Sequence, residues 1–285
     1  MPENISADLY LELLKKCLTR SAFPERFASL KMPTVGLRRG LWPLKKLVLS
    51  ALKRFNLEIV SIQHFDERRR QEGLDWPEDA ETMVGLKRLD NLQFCIRDVI
   101  SRGVPGDLVE TGVWRGGASI FMRAVLASLQ ENGRTVWLAD SFQGLPKPDG
   151  RYGQDAGDRL WTRADTLAIS LEQVKRNFSR YGLLDDRVKF LVGWFKDTLP
   201  AAPIERISVL RLDGDMYAST MDALDSLYPK VSAGGFVIVD DFGAIPACKQ
   251  AVEDYRSRFG IQDPVHEIDW TGVYWQKSCG ESAKK

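Results

Sequence analysis

The amino-acid sequence predicts an α/β protein with a mostly parallel β-sheet, an antiparallel hairpin near the carboxyl end and a helical region at the amino end. From about residue 105 onward, short runs of strand-forming residues alternate with helix-like segments, which is typical of βαβ units. These runs read DLVET, TVWLAD, VKFLVG, ISVLRLD and GFVIVDD. The segment PVHEIDWTGVYWQK adds two strands around a turn at Thr271 and Gly272.

The chain divides at residue 104 into two regions of different character. Residues 1–104 are predicted to form a helical extension, and residues 105–285 a ligand-binding domain that carries the sheet. Within the extension, residues 15–54 hold eleven Lys or Arg and a single acid, Glu25. This segment is therefore expected to be basic and amphipathic.

Two helices are predicted in the extension. The first lies in SADLYLELLKKCLT, where Ser6 or Asp8 is a suitable cap and the leucines form an uneven apolar face. The second lies in ETMVGLKRLDNLQFCIRDVISRG and is expected to end at Gly103.

Composition excludes several classes of protein. The 285 residues include 40 basic and 39 acidic side chains, so overall charge does not favour a nucleic-acid partner. Cys17, Cys95, Cys248 and Cys279 form no CxxC pair, which argues against a zinc site or a disulfide framework. No apolar stretch approaches the roughly 20 residues that span a bilayer. A soluble protein with reduced thiols is expected, and a cytoplasmic location.

The stretch DLVETGVWRGGASIFMRAVL at 107–126 reads as a strand, a glycine-containing turn and a helix. Dinucleotide-binding domains share this layout, but their second glycine, which lets the backbone approach a pyrophosphate, is Trp114 here. Glu110 at the strand end would repel phosphate and suits a cation. The ammonium and sulfonium groups of S-adenosylmethionine (SAM) fit this charge, so Glu110, Thr111 and Gly112 are candidate SAM-binding residues.

The next two strands end in residues that suit a nucleoside. Asp140, in WLADSFQGLP, can accept hydrogen bonds from two ribose hydroxyls, a feature that NAD and SAM both satisfy. In LVGWFKDTLP, Gly193, Trp194 and Phe195 could meet an adenine ring. The alternative is that the two aromatic side chains belong to the core.

Two acidic pairs follow apolar runs, in VLRLDGDMYAST at 209–220 and GGFVIVDDFGA at 234–244. Parallel strands deliver their carboxyl ends to one edge of the sheet, so Asp213, Asp240 and Asp241 are expected to converge. Two carboxylates about 4 Å apart repel by roughly 4 kcal/mol at an effective dielectric near 20. A divalent cation such as Mg²⁺ would relieve that repulsion. The alternative is that each Asp serves a turn or a helix cap.

Four motifs together resemble the macrocin O-methyltransferase family, whose members are SAM- and metal-dependent and methylate sugar hydroxyls on antibiotic glycosides. The motifs are GLKRLDNLQ, LVETGVWRGG, ADSFQGLP and LRLDGDMYASTMDALDSLYPKVSAGGFVIVDD, and the resemblance covers residues 76–277. It implies a class I SAM-dependent methyltransferase fold, Mg²⁺ and a homo-oligomer, often a dimer. It also implies that the amino-terminal extension forms a lid over the substrate.

The resemblance assigns roles by motif position. Asp213, Asp240 and Asp241 resemble the metal ligands, and Asp215 the catalytic base. The residues that resemble the SAM site are Glu110, Gly112, Asp140 and Ser141. Residues 21–60 match nothing in the antibiotic-pathway members, which leaves the acceptor open.

The function predicted from these residues is methyl transfer from SAM to a hydroxyl of a sugar or glycoside, with Mg²⁺ on the acceptor oxygens and Asp215 taking the proton. His64 and His266, the only histidines, are alternative bases. Three other functions stay open: a catechol-like small-molecule O-methyltransferase, an NAD-dependent oxidoreductase, and a membrane-surface scaffold that docks through a basic helix at 38–54.

Overall fold

The computed structural model describes residues 5–23, 26–29, 48, 50–52, 54–57 and 59–278. Its strands are β1 (Arg26–Ser29), β2 (Val60–Gln63), β3 (Asp107–Thr111), β4 (Val136–Asp140), β5 (Val188–Val192), β6 (Ile207–Leu212), β7 (Val231–Val239), β8 (His266–Glu267) and β9 (Val273–Gln276). Its helices are α1 (Ile5–Leu18), α2 (Glu67–Glu72), α3 (Leu86–Ser101), α4 (Gly117–Ser128), α5 (Ala164–Leu167), α6 (Leu171–Arg180), α7 (Phe195–Thr198), α8 (Tyr217–Leu227) and α9 (Pro246–Arg258).

Seven strands form one sheet in the order β5-β4-β3-β6-β7-β9-β8. The five strands from β3 to β7 pair in parallel. The last two pair antiparallel, β9 with β7 and β8 with β9, on either side of the predicted turn at Thr271 and Gly272. The predicted α/β class, the mostly parallel sheet and the hairpin are therefore confirmed.

Helices cover both faces of this sheet. Side chains alternate between the faces along each strand, so both faces carry apolar side chains that the helices bury. Leu108, Val209 and Ile238 point into a cluster with α1, α3, α4 and α6. Their neighbours Val109 and Leu210 point into a second cluster with α8 and α9. Near-continuous apolar runs such as ISVLRL follow from this burial on both faces.

The first of the predicted helices is α1, which packs on α3 and α4. Leu11, Leu14 and Leu18 are buried in the same cluster as the sheet residues, and fully burying one such side chain contributes about 1.5–3 kcal/mol. Ser6 and Asp8 lie inside the helix and do not cap it, so that detail of the prediction was wrong.

The second predicted helix, α3, begins at Leu86 and not at residue 81. Residues 80 and 81, which precede it, hydrogen-bond to the glycine turn before α4 and do not adopt the helix. The Glu81 carbonyl accepts a hydrogen bond from Gly117 N–H at 2.9 Å, and the Ala80 carbonyl accepts one from Arg115 Nη1 at 2.9 Å. The helix ends as expected, with Gly103 at φ +67°.

The amino-terminal region also contains strands, which the sequence did not predict. β1 and β2 pair antiparallel, with Arg26 opposite Gln63. Thirty residues separate them, so no short turn signal marks the pair. Most of the basic segment at 15–54, including most of the helix proposed at 38–54, lies outside the described residues. Among the residues that are described, no helix combines the length and apolarity needed to cross a membrane.

Candidate functional site

The carboxyl ends of β3 and β6 lie side by side although β4 and β5 come between them in the chain. Strand order reverses here, and ligands of open parallel sheets bind at such a switch point. The reversal opens a cavity of about 370 Å³. The predicted site residues that line it are Glu110, Gly112, Asp140, Ser141, Gly193, Trp194, Asp213, Asp215, Asp240 and Asp241.

The turn after β3 needs glycine at position 112. Gly112 has φ +84°, and a Cβ there would lie 1.7 Å from the Asp213 carbonyl oxygen. The turn after β3 therefore lies directly against the first residue beyond β6. Thr111 does not line the cavity: it is fully buried, and its Oγ1 has no hydrogen-bond partner within the described part of the chain.

Glu110 lies at the floor of the cavity and is 1% exposed. Its Oε1 accepts a hydrogen bond from Arg211 Nη1 at 2.5 Å, and its Oε2 accepts one from Ser119 Oγ. Burial raises the pKa of Glu110 to about 7, while Arg211 and Ser119 act in the opposite direction. Each carboxylate oxygen has two lone pairs, so Glu110 retains capacity to accept from a ligand.

Asp140 ends β4, and two backbone N–H groups hold its carboxylate. Val113 donates to Oδ2 and Phe142 to Oδ1, both at 2.7 Å. Desolvation raises the pKa of Asp140, and these hydrogen bonds oppose the rise. Ser141 faces the same end of the cavity but is occupied locally, since its Oγ donates to the Gly144 carbonyl at 2.7 Å.

The residues after β5 form the next part of the wall. Gly193 has φ +141° and continues the ladder by donating to the Asp140 carbonyl at 2.9 Å. Trp194 and Phe195 both line the cavity and both are only partly buried. Phe195 also packs against the second hydrophobic cluster, so it combines the two roles that the sequence left open.

Asp213, Asp240 and Asp241 converge as predicted. Each offers one carboxylate oxygen, and the three oxygens lie within 4.8 Å of one another. Burial and the charge of Asp240 raise the pKa of Asp213 to about 6. Burial and the other acids also raise the pKa of Asp241 well above its ordinary value. An all-oxygen, multiply charged set of this kind is the donor set that Mg²⁺ and Ca²⁺ prefer.

Asp215 lies beside this cluster. Its backbone is in the left-handed region at φ +57°, and its N–H donates to Asp241 Oδ2 at 3.2 Å. A non-glycine residue in that region costs roughly 1–3 kcal/mol. Desolvation, followed by repulsion from Asp213 and Asp240, raises the pKa of the Asp215 carboxyl to about 8. The two histidines are exposed, and neither His64 nor His266 lines the cavity.

Two buried arginines complete the site, and the sequence did not predict either. Arg211, within β6, donates from Nη1 to Asp213 Oδ2 at 2.9 Å and from Nη2 to Asp240 Oδ1. Arg88, in α3, donates to Asp240 Oδ2 and, at 2.8 Å, to Asp269 Oδ2 on the hairpin. A charged residue inside the otherwise apolar run Val209–Leu212 was the available signal for Arg211.

The long connection after β4, residues 141–170, forms one side of the cavity mouth. Leu145, Leu160 and Leu167 contribute apolar lining. Buried Asp155 fastens the middle of this connection to α8, because its carboxylate accepts from Tyr217 N–H at 2.8 Å and from Ala218 N–H at 2.9 Å. The sequence did not predict this element, since no periodic pattern marks it.

The amino-terminal extension also lines the cavity, and it meets that connection where the Arg163 guanidinium lies 5.8 Å from the centre of the Trp76 ring. Trp76, Glu81 and Thr82 line the cavity, and Trp76 is 54% exposed. Trp270, on the hairpin, is 46% exposed and donates from Nε1 to the Glu72 carbonyl at 2.9 Å. Two open indole rings beside a carboxylate cluster suit an acceptor that has both an apolar surface and hydroxyl groups.

Comparison with protein families and with characterised proteins gives an independent line of evidence on the class of protein. A family model described as macrocin O-methyltransferase (TylF) matches residues 7–277. The match includes residues 21–60, so the expectation that this segment departs from the family was wrong. The 8-demethyl-8-(2,3-dimethoxy-alpha-L-rhamnosyl)-tetracenomycin-C 4'-O-methyltransferase of Streptomyces olivaceus is 50% identical over 276 residues, which are 96% of this chain and 95% of that protein. The demethyldecarbamoylnovobiocin O-methyltransferase of Streptomyces niveus is 57% identical over 219 residues, which are 75% of this chain and 82% of that protein.

Solved structures agree. The O-methyltransferase NovP is 46% identical, with a TM-score of 0.81 over 96% of this chain and 100% of that chain. The calicheamicin methyltransferase CalS11 is 18% identical, with a TM-score of 0.57 over 97% of this chain and 93% of that chain, a likeness of fold alone. The class I methyltransferase fold expected from the sequence is therefore confirmed.

Proposed function

Because the chain belongs to the macrocin O-methyltransferase family, we propose that it is a SAM- and Mg²⁺-dependent O-methyltransferase that acts on a hydroxyl of a sugar or glycoside. One observation carries this proposal: three carboxylates converge within 4.8 Å at the strand ends beside the glycine turn. Two relatives support the acceptor class, since one is named for a rhamnosyl-tetracenomycin and the other for demethyldecarbamoylnovobiocin.

The cofactor end of the cavity is the turn after β3 together with the end of β4. When bound, SAM supplies an electrophilic methyl group on a sulfonium. Asp140, held by two backbone N–H groups, is oriented to accept from the ribose hydroxyls. Glu110 supplies negative charge beneath the turn, and Trp194 a flat surface for the adenine. Gly112, which has no side chain, leaves its backbone accessible to the cofactor.

The acceptor end contains the carboxylates. Asp213, Asp240 and Asp241 would hold the metal, and their oxygen donors fit a hard dication. When bound, Mg²⁺ supplies Lewis acidity that lowers the pKa of a nearby hydroxyl. Trp76 and Trp270 restrict where a ring carrying that hydroxyl can lie, which supports the lid role of the amino-terminal extension.

Asp215 is the proposed general base. Its raised pKa places proton affinity close to neutral pH, where a positioned base works best. An Asp215 carboxylate oxygen accepts the proton as the acceptor hydroxyl becomes the nucleophile. The alternative bases His64 and His266 lie away from the cavity.

The other functions are not supported. An oxidoreductase does not fit the family, and Trp114 fills the position of the glycine that a pyrophosphate requires, with its Nε1 donating to the Thr166 carbonyl at 2.9 Å. A catechol acceptor would suit the same carboxylates, but no observation favours it over a sugar. The membrane-scaffold idea depends on a segment that lies largely outside the described residues.

The test uses labelled SAM, Mg²⁺ and a panel of glycosides, with a free catechol as the competing acceptor. We expect methyl transfer to a glycoside hydroxyl, none in excess EDTA, and recovery when Mg²⁺ is restored. Calorimetry should detect SAM binding and no NAD binding. Full turnover in excess EDTA would remove the metal from the mechanism, and transfer to the catechol alone would assign the other acceptor class.

We also propose that the protein is a homodimer. Ile5, Leu9 and Leu13 form an exposed apolar stripe along α1, each at least 60% exposed. Light scattering should give twice the chain mass, and Leu9→Glu should reduce it to the chain mass, whereas Glu12→Gln on the same helix should not. A monomeric wild-type protein would contradict the proposal.

A further inference from the structure

Arg211 joins the two ends of the site through one guanidinium group. Its Nη1 donates to Glu110 Oε1 at 2.5 Å and to Asp213 Oδ2 at 2.9 Å, and its Nη2 donates to Asp240 Oδ1. Glu110 lies on the cofactor side, and the two aspartates belong to the carboxylate cluster. The three acceptors come from the ends of three different strands.

Sheet register brings these groups together. Glu110 pairs with Arg211 across β3 and β6, and Arg211 pairs with Ile238 across β6 and β7. Because side chains two residues apart share a face, Asp213 and Asp240 lie on the same face as Arg211, one step nearer the cavity. The guanidinium is only 3% exposed, so water does not screen these contacts.

We propose that Arg211 is a positioning residue that makes SAM binding and metal binding interdependent. The inference rests on the proposed function, since it takes Glu110 to lie against the cofactor and Asp213 and Asp240 to hold the metal. Without metal, three carboxylates share the positive charge of Arg211. A dication held by Asp213 and Asp240 neutralises part of their charge, so Arg211 is attracted more exclusively to Glu110. The end of β3 and its glycine turn are then held more firmly for SAM.

The thermodynamic consequence is reciprocal coupling. If Mg²⁺ increases SAM affinity by some factor, SAM must increase Mg²⁺ affinity by the same factor, and couplings of about 5- to 150-fold are typical. Loss of a residue that only stabilised the fold would weaken SAM binding equally with and without Mg²⁺. The ratio of SAM affinity in Mg²⁺ to SAM affinity in EDTA would then stay unchanged. The ratio therefore distinguishes positioning from general structural support.

The experiment is calorimetry on the full chain without acceptor. SAM affinity is measured in EDTA and in saturating Mg²⁺, and Mg²⁺ affinity is measured with and without SAM. In the wild type we expect Mg²⁺ to tighten SAM binding by about fivefold or more. Arg211→Met should bring that ratio close to one. Arg211→Lys should give an intermediate ratio, because a single ammonium replaces the two donor nitrogens that reach Glu110 and Asp240.

Arg134→Met is the matched control. Arg134 is also a buried arginine that hydrogen-bonds at the end of a strand, but it lies at the opposite edge of the sheet. It donates there to the carbonyl groups of Val104 and Gly106, just before β3. This variant should keep the wild-type ratio. If Arg211→Met does not fold, Glu110→Gln tests the same bridge from its cofactor end and should also reduce the ratio.

The possible results separate the two proposals. A wild-type protein that binds no Mg²⁺ overturns the proposed function. Binding of both ligands with a wild-type ratio of one, or with SAM weakened by Mg²⁺, overturns the inference alone. A full wild-type ratio in Arg211→Met, or in Glu110→Gln where that variant is needed, also overturns it.

Discussion

A buried arginine lies at each edge of the parallel sheet, and the two have different surroundings. At the amino-terminal edge, Arg134 donates to two carbonyl groups and to Ser208 Oγ, and the carboxylate of Glu131 is 3.6 Å away. At the carboxyl-terminal edge, Arg211 donates to three carboxylates. The first arrangement surrounds the guanidinium mainly with neutral oxygens, whereas the second leaves negative charge in excess.

That difference indicates that the carboxyl-terminal edge is the candidate reaction site. A fold gains little from gathering acids, since each buried carboxylate must lose hydration and repel its neighbours. Asp213, Asp215 and Asp241 respond with raised pKa values. The carboxyl-terminal edge therefore carries the excess negative charge that the proposed cationic ligands would compensate.

The largest effect is expected from Asp215→Asn. The amide cannot take the proton from the hydroxyl that is methylated, so turnover should fall by roughly 10²–10⁴-fold. SAM and Mg²⁺ affinity should stay nearly unchanged, and extra Mg²⁺ should not restore the rate. Steady-state kinetics over a range of Mg²⁺ concentrations provides the measurement. Asp225→Asn is the control, because Asp225 is an exposed residue of α8.

A smaller, recoverable loss is expected from Asp213→Asn. A neutral amide oxygen replaces one charge that compensates the dication, so Mg²⁺ affinity should fall by about tenfold or more, equivalent to ~1.4 kcal/mol. High Mg²⁺ should then recover part of the rate, as titrations of turnover against Mg²⁺ will show. Recovery of Asp215→Asn in place of Asp213→Asn would reverse the two assignments.

Stability should depend on pH in a way that reports the same edge. The pKa values of Asp213 and Asp215 are raised to about 6 and about 8, so the folded protein binds these protons more tightly than the unfolded chain does. Their stabilising contribution is therefore complete below about pH 4 and is lost as pH rises through about 6 to 8. The increase in melting temperature on replacing EDTA with Mg²⁺ should become larger as pH rises through this range, because the metal compensates the ionised carboxylates. A gain that is constant with pH would contradict the pKa assignment.

The smallest catalytic effect is expected from Arg134→Met. It leaves carbonyl groups at the amino-terminal edge without their donor, which costs about 1–3 kcal/mol of stability. Turnover of the folded protein and its Mg²⁺ affinity should match the wild type. Denaturant unfolding combined with kinetics tests both statements, and a selective loss of Mg²⁺ affinity would show that the two edges are not independent.

Local pattern was sufficient to predict the sheet and the convergence of three carboxylates in the candidate site. Apolar runs such as that of β6 are long and bounded by turns, and the carboxyl ends of parallel strands must meet at one edge. Asp213, Asp240 and Asp241 could therefore be expected to converge although Asp213 and Asp240 are 27 positions apart in the chain.

The parts that could not be predicted depend on distant contacts. Arg88 meets Asp240 across 152 positions of the chain, and no local pattern encodes that pair. The start of α3 moved from residue 81 to Leu86 because residues 80 and 81 bind the glycine turn in place of continuing a helix. Arg211 was hidden within a run that is otherwise apolar, because strand periodicity describes hydropathy and not charge.

Asp155 gives the long connection after β4 a modular character. By accepting hydrogen bonds from the first residues of α8, this buried carboxylate anchors the midpoint of residues 141–170 and divides them into two shorter spans. The first span begins at Ser141, a candidate cofactor residue, and the second contains Leu160 and Leu167, which line the cavity. Changes in the second span need not disturb the first. We therefore expect that exchanging residues 157–169 between relatives will alter acceptor range while Asp155 and residues 141–154 stay in place.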